Sequence, residues 1–443
     1  MLHDNQQVQG SICGIGIPAV DTAALCQLAA QAERQNTLTI LAAIATVLVL
    51  ALVLMPAAQA QTYKKLHDFT GGQDGSTPLS GLTIDGAGNL YGATYYGGSA
   101  NNGAVFKLVH KGAGFVFNTL HDFGSMDATH PYAKVTIGRD SSLFGTTQFG
   151  VPGTGCGQSG CGTVFNLRLP PTACKTALCP WKESIAYQFP AGEENGAWPV
   201  SALVVDQSGN MFGTTIGNNL PGLAFQLTPS GSGWTQNVLF SFDDQSHGIY
   251  PVGDLALDQA GSLYGVTFVG GTQDDGLVFQ LVPSGSGWTE NVLYSFDHNS
   301  DGANPGGGLV LDKAGNLYGT TGGNGGWGVG TVFMLSPVGG TWNETILHNF
   351  ARNENPQANL TMDAAGSLYG TTLRGGKDEA GTIFKLASGS GGWTYTVLKE
   401  FDGTCNDGCS PFSDVTIGAS GNLYGTTSQG GAYGRGVVWE ITP

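Results

Sequence analysis

One short motif recurs seven times along this chain and constrains its fold more than any other feature. The motif is Leu-Tyr-Gly-Thr-Thr at Leu317–Thr321, and its other copies begin at Leu90, Leu143, Met211, Leu263, Leu368 and Leu423. The central glycines are 51 to 68 residues apart, a period typical of propeller blades and solenoid units. The chain is therefore expected to repeat one supersecondary unit seven times.

Each copy contains four segments with strand character. In the fifth copy, an apolar run at residues 309–312 follows a proline, and a tight turn leads into the motif. A glycine-rich loop precedes a third segment at 330–333, and a fourth segment at 342–350 begins with an aromatic residue. The segments are short, rich in Val, Thr and aromatic residues, and bounded by turn residues, which indicates strands rather than helices. Four antiparallel strands per repeat predict the blade of a β-propeller.

The two ends of the repeat region complete each other. The last copy stops after residues 436–443 without a fourth segment, and a segment of that type occurs at 63–69, before the first copy. Sharing one blade between both ends closes a ring and leaves no free sheet edge. We therefore expect an all-β, seven-bladed propeller over residues 62–443. The alternative is an open solenoid, which would need atypical capping repeats that the sequence does not show.

The segment before the repeats has the character of an export signal. Residues 38–55 are uninterruptedly apolar or small, and Ala58-Gln59-Ala60 follows them. This pattern predicts a signal peptide over residues 38–60, cleaved after Ala60. An uncleaved membrane anchor is the alternative, since 18 residues approach a spanning length. Residues 1–37 form an N-terminal extension of uncertain status. The expected location is secreted, periplasmic or at the cell surface.

Composition limits the partners. The formal net charge is −16, and only 11% of the residues are charged. Nucleic acids and anionic membranes select clusters of Lys and Arg, so neither is expected beyond the signal segment itself. We expect a monomer.

Six cysteines follow the signal segment, as the close pairs Cys156/Cys161, Cys174/Cys179 and Cys405/Cys409. In an exported protein such pairs indicate disulfides that staple loops. A zinc site made from the first two pairs is the alternative, although the spacing of four residues within each pair is wider than usual for zinc ligands.

The most regular repeats carry a family resemblance. Residues 312–333 spell Asp-x-x-Gly-Asn-Leu-Tyr-Gly-Thr-Thr, then Gly-Gly, then Gly-Thr-Val-Phe, and residues 363–384 are nearly the same. This string resembles the GloVer tandem-repeat family of exported bacterial proteins, and the resemblance covers nearly all of residues 62–443. It implies export and a repeat fold, and it transfers no catalytic residues.

Residues that recur in phase with the repeat are expected to be structural. His67, His121 and His348 occupy one position of the fourth strand. An acidic series precedes the hairpin turn, where Asp accepts hydrogen bonds from backbone N–H groups. Its members are Asp85, Asp206, Asp258, Asp312 and Asp363, and Gly138 and Gly418 replace the acid in two copies.

One loop matches the first half of a calcium-binding loop. Asp297, Asn299 and Asp301 offer oxygen ligands on alternate residues before a turn glycine. The twelfth position, where a bidentate Glu would complete the site, is Gly308. Calcium is thus the one candidate cofactor, and an ordinary Asx turn is the favoured interpretation.

Evidence for catalysis is thin. The chain lacks a Gly-x-Ser-x-Gly elbow, a His-Glu-x-x-His motif and a phosphate loop. Three pairs of neighbouring acids could supply carboxylates for glycoside hydrolysis: Glu193/Glu194, Asp243/Asp244 and Asp378/Glu379. The Asp-x-x-Gly-Asn-Leu-Tyr string is also similar to blades of the streptogramin-lyase type. A secreted propeller enzyme, lyase or glycosidase, is therefore the alternative function.

The loops that differ between copies are the expected binding surface. If the proline-led strand is innermost, as in other propellers, one face gathers aromatic residues around the channel mouth. The candidates are Tyr95, Tyr96, Phe149, Trp198, Tyr250, Phe268, Trp327 and Tyr433. Exposed aromatic rings suit stacking on sugars or contact with a protein. We expect a binding surface for carbohydrate or a cell-envelope protein; the alternative is that these rings pack between blades.

Overall fold

The repeat region folds into short antiparallel strands. The structure is a computed structural model that describes residues 61–442, apart from 113, 125–127, 152–155, 157–159, 170–180, 192–195, 218–221, 232, 286, 324–329 and 352. Nearly every copy of the Leu-Tyr-Gly-Thr-Thr strand is buried along its whole motif, because it lies in the middle of a blade with neighbours on both faces. No helix in this part of the chain is long and apolar enough to cross a membrane.

Strand β1 (Thr62–Asp68) precedes the first blade. Blade 1 contains β2 (Thr83–Ile84), β3 (Leu90–Thr94), β4 (Ala104–Lys111) and β5 (Gly114–Asp122). Blade 2 contains β6 (Thr129–Pro131), β7 (Thr136–Ile137), β8 (Leu143–Phe149), β9 (Thr163–Arg168) and β10 (Lys182–Gln188). Blade 3 contains β11 (Val204–Val205), β12 (Met211–Thr215), β13 (Gly222–Ser230) and β14 (Gly233–Phe242). Blade 4 contains β15 (Ile249–Leu257), β16 (Leu263–Val269), β17 (Leu277–Ser284) and β18 (Gly287–Ser295).

Blade 5 contains β19 (Val310–Leu311), β20 (Leu317–Thr321), β21 (Thr331–Val338) and β22 (Thr341–Asn349). Blade 6 contains β23 (Thr361–Met362), β24 (Leu368–Thr372), β25 (Thr382–Gly389) and β26 (Gly392–Glu400). Blade 7 contains β27 (Thr416–Ile417), β28 (Leu423–Thr427) and β29 (Val437–Thr442). The strands pair in chain order within each blade, and in blade 2 both β6 and β7 pair with β8.

The ring closes through the first strand. Blade 7 has the order β1-β29-β28-β27, and β1 pairs antiparallel with β29 from Thr62↔Thr442 to Asp68↔Val437. This confirms the seven-bladed propeller and the shared last blade. A threonine on the inner strand also donates its hydroxyl to the next blade. Thr416 Oγ1 donates to the Leu82 carbonyl at 2.5 Å, which joins the last blade to the first.

The central glycine of the motif is explained by close packing. In blade 5 the ring of Phe333, on the third strand, lies against Gly319, and a Cβ there would be 2.6 Å from the ring. The same arrangement recurs in every blade, with Trp439 in place of Phe in blade 7. A methyl group at this position would force the buried ring aside.

The repeated polar residues have structural partners. Asp312 Oδ1 accepts hydrogen bonds from the N–H groups of Ala314 and Asn316, at 2.8 and 2.9 Å, and Oδ2 accepts from the Tyr318 hydroxyl at 3.0 Å. Burial would raise the pKa of Asp312, but the side-chain amide of Asn316, which donates to Oδ2 at 2.8 Å, and the donors above outweigh burial and lower it. The His348 ring stacks on Tyr395 of the next blade, with centroids 3.9 Å apart. The hydrogen bonds of the turn explain the repeated Asp, and the stacking between blades explains the repeated His. Neither residue needs a catalytic role to account for it.

Candidate ligand-binding site at the channel mouth

A cavity of about 280 Å³ opens at one end of the central channel. All seven blades contribute the residue that follows the inner-strand proline. These residues are Leu79, Tyr132, Val200, Val252, Gly306, Gln357 and Phe412. The proline-led strand is therefore innermost, as expected. The loop before this strand and the Gly-Gly loop lie on the same face, since Ser76 N donates to the Tyr96 carbonyl at 2.7 Å.

The floor of the cavity carries a cluster of polar side chains from four blades. Lys134 Nζ lies 2.8 Å from Asp414 Oδ2 and 3.4 Å from Asp254 Oδ2. Asn359 Nδ2 donates to Asp254 Oδ2 at 2.8 Å, and Ala202 N donates to Asp254 Oδ1 at 2.7 Å. We call Lys134, Asp254, Asn359 and Asp414 the floor cluster. With two carboxylates and one ammonium group, its formal charge is −1.

Electrostatics keep the ammonium group of Lys134 charged. Burial by itself would lower the pKa of Lys134. The charges of Asp414 and Asp254, and the hydrogen bonds they accept, outweigh burial and raise its pKa well above the usual value. The side chain of Asp414 is only 7% exposed, whereas that of Lys134 is 32% exposed, so the ammonium group faces both its partners and the cavity.

Sequence reasoning missed the floor cluster. Its members occupy one column of the repeat, three residues after each inner-strand proline, and the other three positions of that column are Gly81, Ala202 and Gly308. Small residues there make room for the polar groups, because a Cβ on Gly81 would lie 1.6 Å from Asp414 Oδ1. Aligning the seven repeats would have shown this column, since it holds only small, polar or charged residues where the next column is Leu or Val in every repeat.

The cavity wall is aromatic on one side. Tyr132 lies 6.5 Å from Phe412 and 6.0 Å from Tyr95, measured between ring centroids. The Tyr95 hydroxyl donates to Gln148 Oε1, another residue of the cavity, at 2.5 Å. Burial and the neighbouring Tyr96 and Tyr132 raise the pKa of Tyr95 to about 12, so this hydroxyl stays protonated.

The aromatic contacts continue outward along the rim. Tyr95 contacts Tyr96 and His130, with centroids 4.7 and 4.8 Å apart. His130 contacts Phe149 at 5.1 Å, and Phe149 contacts Trp198 at 5.7 Å. Four of the eight predicted binding residues, namely Tyr95, Tyr96, Phe149 and Trp198, thus form one contact series. Tyr96 packs against Tyr95 and is still accessible to a ligand, because 41% of its surface is exposed.

The other predicted aromatic residues are placed separately. Phe268, on β16 of blade 4, lines the cavity without belonging to this series. Tyr250 and Tyr433 are 42% and 61% exposed. Trp327 lies outside the described residues. Whether any of them contacts a ligand stays a prediction.

The predicted calcium ligands bind their own loop. Asp301 Oδ1 accepts from Asp297 N at 2.7 Å, and its Oδ2 accepts from the Tyr294 hydroxyl. Asp297 Oδ1 accepts from the backbone N and the side-chain amide of Asn299, at 3.0 and 2.9 Å. This is the geometry of an Asx turn. Asp297 also lies near His298 and Asp275, whose ligand atoms are within 4.8 Å of one another. Calcium binding stays a prediction.

Both cysteine pairs among the described residues are disulfide-bonded, Cys156–Cys161 and Cys405–Cys409. Cys174 and Cys179 lie outside the described residues. Because Cys156 and Cys161 are bonded to each other, they are not available as zinc thiolates in this structure.

The neighbouring acids proposed for glycoside chemistry lie on exposed loops. Asp244 accepts hydrogen bonds from the backbone of Ser246 and His247, and Asp378 and Glu379 are exposed. Glu193 and Glu194 lie outside the described residues. At the cavity, Asp254 and Asp414 both approach Lys134, and no local sequence pattern marked either of them.

Comparison with known proteins identifies the repeat. A family model described as the Gloeobacter/Verrucomicrobia repeat matches residues 55–256 and 199–439, which together cover most of the chain. No curated protein sequence matches significantly.

Some solved structures are similar to this chain at low sequence identity. One is the extracellular domain of a proposed hybrid two-component system from B. thetaiotaomicron, with 11% identity and a TM-score of 0.52. The match covers 85% of this chain and 39% of that one, so this chain spans about two-fifths of that structure's length. Another is a proposed 6-phosphogluconolactonase from Bacteroides fragilis, with 14% identity, a TM-score of 0.47, and coverage of 76% and 86%.

Proposed function

The chain belongs to the Gloeobacter/Verrucomicrobia repeat family, and from this premise we propose that it is an exported propeller that binds carbohydrate at its channel mouth. One observation carries the proposal: aromatic rings and a polar cluster face the same cavity. Tyr132 and Phe412 offer apolar faces for a sugar ring. Lys134 and the carboxylates below them offer donors and acceptors for its hydroxyl groups.

The size and charge of the cavity support a small neutral ligand or one end of a chain. Ligand cavities commonly begin at roughly 300 Å³, so this one suits a unit or two of a glycan. The formal charge of −1 on the floor cluster, together with −16 on the whole chain, disfavours anionic ligands. Longer glycans could continue along the contact series from Tyr95 to Trp198.

Export is supported by two independent features. The apolar segment at 38–60, which lies outside the described residues, has the pattern of a signal peptide. The disulfides Cys156–Cys161 and Cys405–Cys409 are typical of oxidising compartments. Secretion, the periplasm and the cell surface are all compatible with these features.

A glycan array followed by calorimetry tests the proposal. We expect the purified propeller to bind at least one neutral glycan, and Tyr132→Ala or Phe412→Ala to weaken that binding by about tenfold or more. Val292→Ala is the control, because this residue is exposed on β18, the outermost strand of blade 4, and does not line the cavity. Binding to a cell-envelope protein with no glycan bound would contradict the carbohydrate proposal.

A second candidate function is a propeller enzyme, either a glycoside hydrolase or a lyase. The observation that favours it is the convergence of Asp254 and Asp414, from blades 4 and 7, on one cavity. Incubation with the glycans that bind, followed by mass spectrometry, would reveal cleaved products. Catalysis by these acids requires that Asp254→Asn and Asp414→Asn both abolish product formation while binding persists.

A further inference from the structure

The residues immediately before the seven inner-strand prolines share an unfavourable backbone conformation. We call them the rim residues: Thr77, His130, Trp198, Tyr250, Asn304, Asn355 and Ser410. Their φ angles lie between 49° and 63°, in the left-handed region. A Cβ makes this region costly, and β-branched or bulky residues such as Thr77, Trp198 and Tyr250 are rare there.

Backbone hydrogen bonds hold this conformation. Trp198 N donates to the Cys161 carbonyl at 2.8 Å, and the Trp198 carbonyl accepts from Ile216 N at 3.2 Å. Asn304 has the same arrangement, donating at 2.7 Å and accepting at 3.1 Å. Glycine could make both bonds without strain. The fold therefore requires the conformation but not the side chain.

The same chain uses glycine where only the conformation matters. The hairpin turn between the first two strands has a left-handed residue, and in six blades it is a glycine: Gly88, Gly209, Gly261, Gly315, Gly366 and Gly421. In blade 2 that position is Ser141, with φ 62°. None of the seven rim positions is glycine, which indicates that their side chains serve another purpose.

Four rim residues also have buried polar atoms without a hydrogen-bond partner in the structure. Asn304 is 4% exposed, and its Oδ1 has no partner. A hydrogen-bond partner is also lacking for the buried atoms His130 Nδ1, Trp198 Nε1 and Asn355 Oδ1. Unpartnered buried polar atoms are unfavourable unless a ligand or water meets them.

Each rim residue stands two positions before a residue that lines the cavity, and the unpartnered atoms differ in chemistry. Asn304 Nδ2 donates to the carbonyl of Phe268, a cavity residue, at 2.9 Å. The indole N–H of Trp198 can only donate, whereas an amide oxygen such as Asn304 Oδ1 can only accept. Hydroxyl groups do both, so a polyhydroxyl ligand matches the set.

We propose that the rim residues determine the ligand specificity of the channel mouth by contacting the hydroxyl groups and ring faces of a carbohydrate. This inference rests on the function proposed above. The inference explains why side chains are kept at strained backbone positions: they contact the ligand. The fold supplies seven equivalent positions, and the side chain there varies from blade to blade.

The test compares the relief of strain at the rim with the relief of strain elsewhere. Tyr250→Gly removes a half-exposed rim side chain, and Ser141→Gly relieves the same conformation at an exposed turn. The probes are hexasaccharides of glucose, mannose and N-acetylglucosamine, titrated by calorimetry, and thermal unfolding is measured for each variant. We expect both variants to have a Tm at or above that of the wild type. Tyr250→Gly should weaken binding of the preferred hexasaccharide about tenfold, and Ser141→Gly should not change it.

Each other outcome has a defined meaning. If Tyr250→Gly has a higher Tm and an unchanged Kd, the rim does not determine specificity, and the proposed function stands. If its Tm falls, the side chain serves packing and the inference is overturned. If the wild type binds none of the three hexasaccharides, the proposed function fails, and this inference fails with it.

Discussion

Lys134 and Asp414 are 280 residues apart in sequence, yet Lys134 Nζ lies 2.8 Å from Asp414 Oδ2 across the central channel. Blade 1 separates their two blades in the ring. Asp254 of blade 4 also approaches Lys134, so one ammonium group connects three blades. The contact is possible only because the ring is closed.

Removing this ammonium group should destabilise the propeller. Lys134→Met leaves two carboxylates without their cation, and loss of one partner of a buried pair typically costs about 3–5 kcal/mol. Because Lys134 is partly exposed, we expect a loss of about 2 kcal/mol in the free energy of unfolding. Urea unfolding measures it, with the exposed Lys313→Met as control. Equal stability of the two variants would show that the pairs contribute nothing net.

Ring closure should depend on the disulfide of blade 7. The Cys405–Cys409 loop contacts the closing strand, where the Tyr63 hydroxyl donates to the Asp407 carbonyl at 2.6 Å. Replacing both cysteines with serine should lower stability by about 2 kcal/mol at most, since the loop is short. It should also speed amide exchange in β1.

The matched control removes the Cys156–Cys161 disulfide of blade 2 in the same way. This pair is not on the closing blade, so amide exchange in β1 should match the wild type. Faster exchange in β1 for both variants would indicate general destabilisation rather than a closure contact.

The inner-strand threonines should stabilise the junctions between blades. Thr416→Val removes the hydroxyl that donates to Leu82 O and leaves a buried carbonyl without this donor. We expect a loss of about 1 kcal/mol, with little change in packing. Thr361→Val removes the same bond, to Val415 O at 2.6 Å, between blades 6 and 7. Similar losses in both would show that the closing junction is equivalent to the others; no loss in either would contradict the role of the hydroxyls.

Acid should destabilise the fold through His348. Burial lowers the pKa of His348, so near pH 6.5 the folded protein binds fewer protons than the unfolded chain. The contribution of the neutral His348 ring to the free energy of unfolding is fully present above pH about 6.5 and is lost as the pH falls below it. His348→Phe, which can still stack on Tyr395, should reduce the loss of stability between pH 7.5 and 5. Chemical unfolding across this range measures it.

His298 provides the opposite case. A hydrogen bond to Asp275 raises the pKa of His298. The contribution of the protonated His298 to the free energy of unfolding is therefore present at low pH and lost as the pH rises through the pKa of the folded state. His298→Gln should therefore be relatively more destabilising at pH 5.5 than at pH 8. The same pH response for both variants would contradict these assignments.

The sequence by itself determined the fold, because every local preference repeats in phase. The Leu317–Thr321 motif has the composition of a buried strand, and Gly319 leaves room for the ring of Phe333 in the same repeat. Asp312 forms its turn with residues that follow it in the same hairpin. Even closure followed from local segments, since residues 63–69 have the composition that the last copy lacks. Contacts close in sequence, or equivalent in every blade, can be inferred from the repeat.

Only the tertiary structure decided the candidate site. Lys134, Asp254 and Asp414 lie in three different repeats, and their proximity depends on the geometry of the whole ring. The left-handed φ of Trp198 likewise accompanies hydrogen bonds to neighbouring loops and could not be read from its own sequence, because the residue before a proline is otherwise expected to be extended. The sequence suggested eight aromatic residues for this face, and the structure shows four of them in one contact series. It could not identify the polar floor beneath them, because opposite charges far apart in sequence become informative only once a fold brings them together.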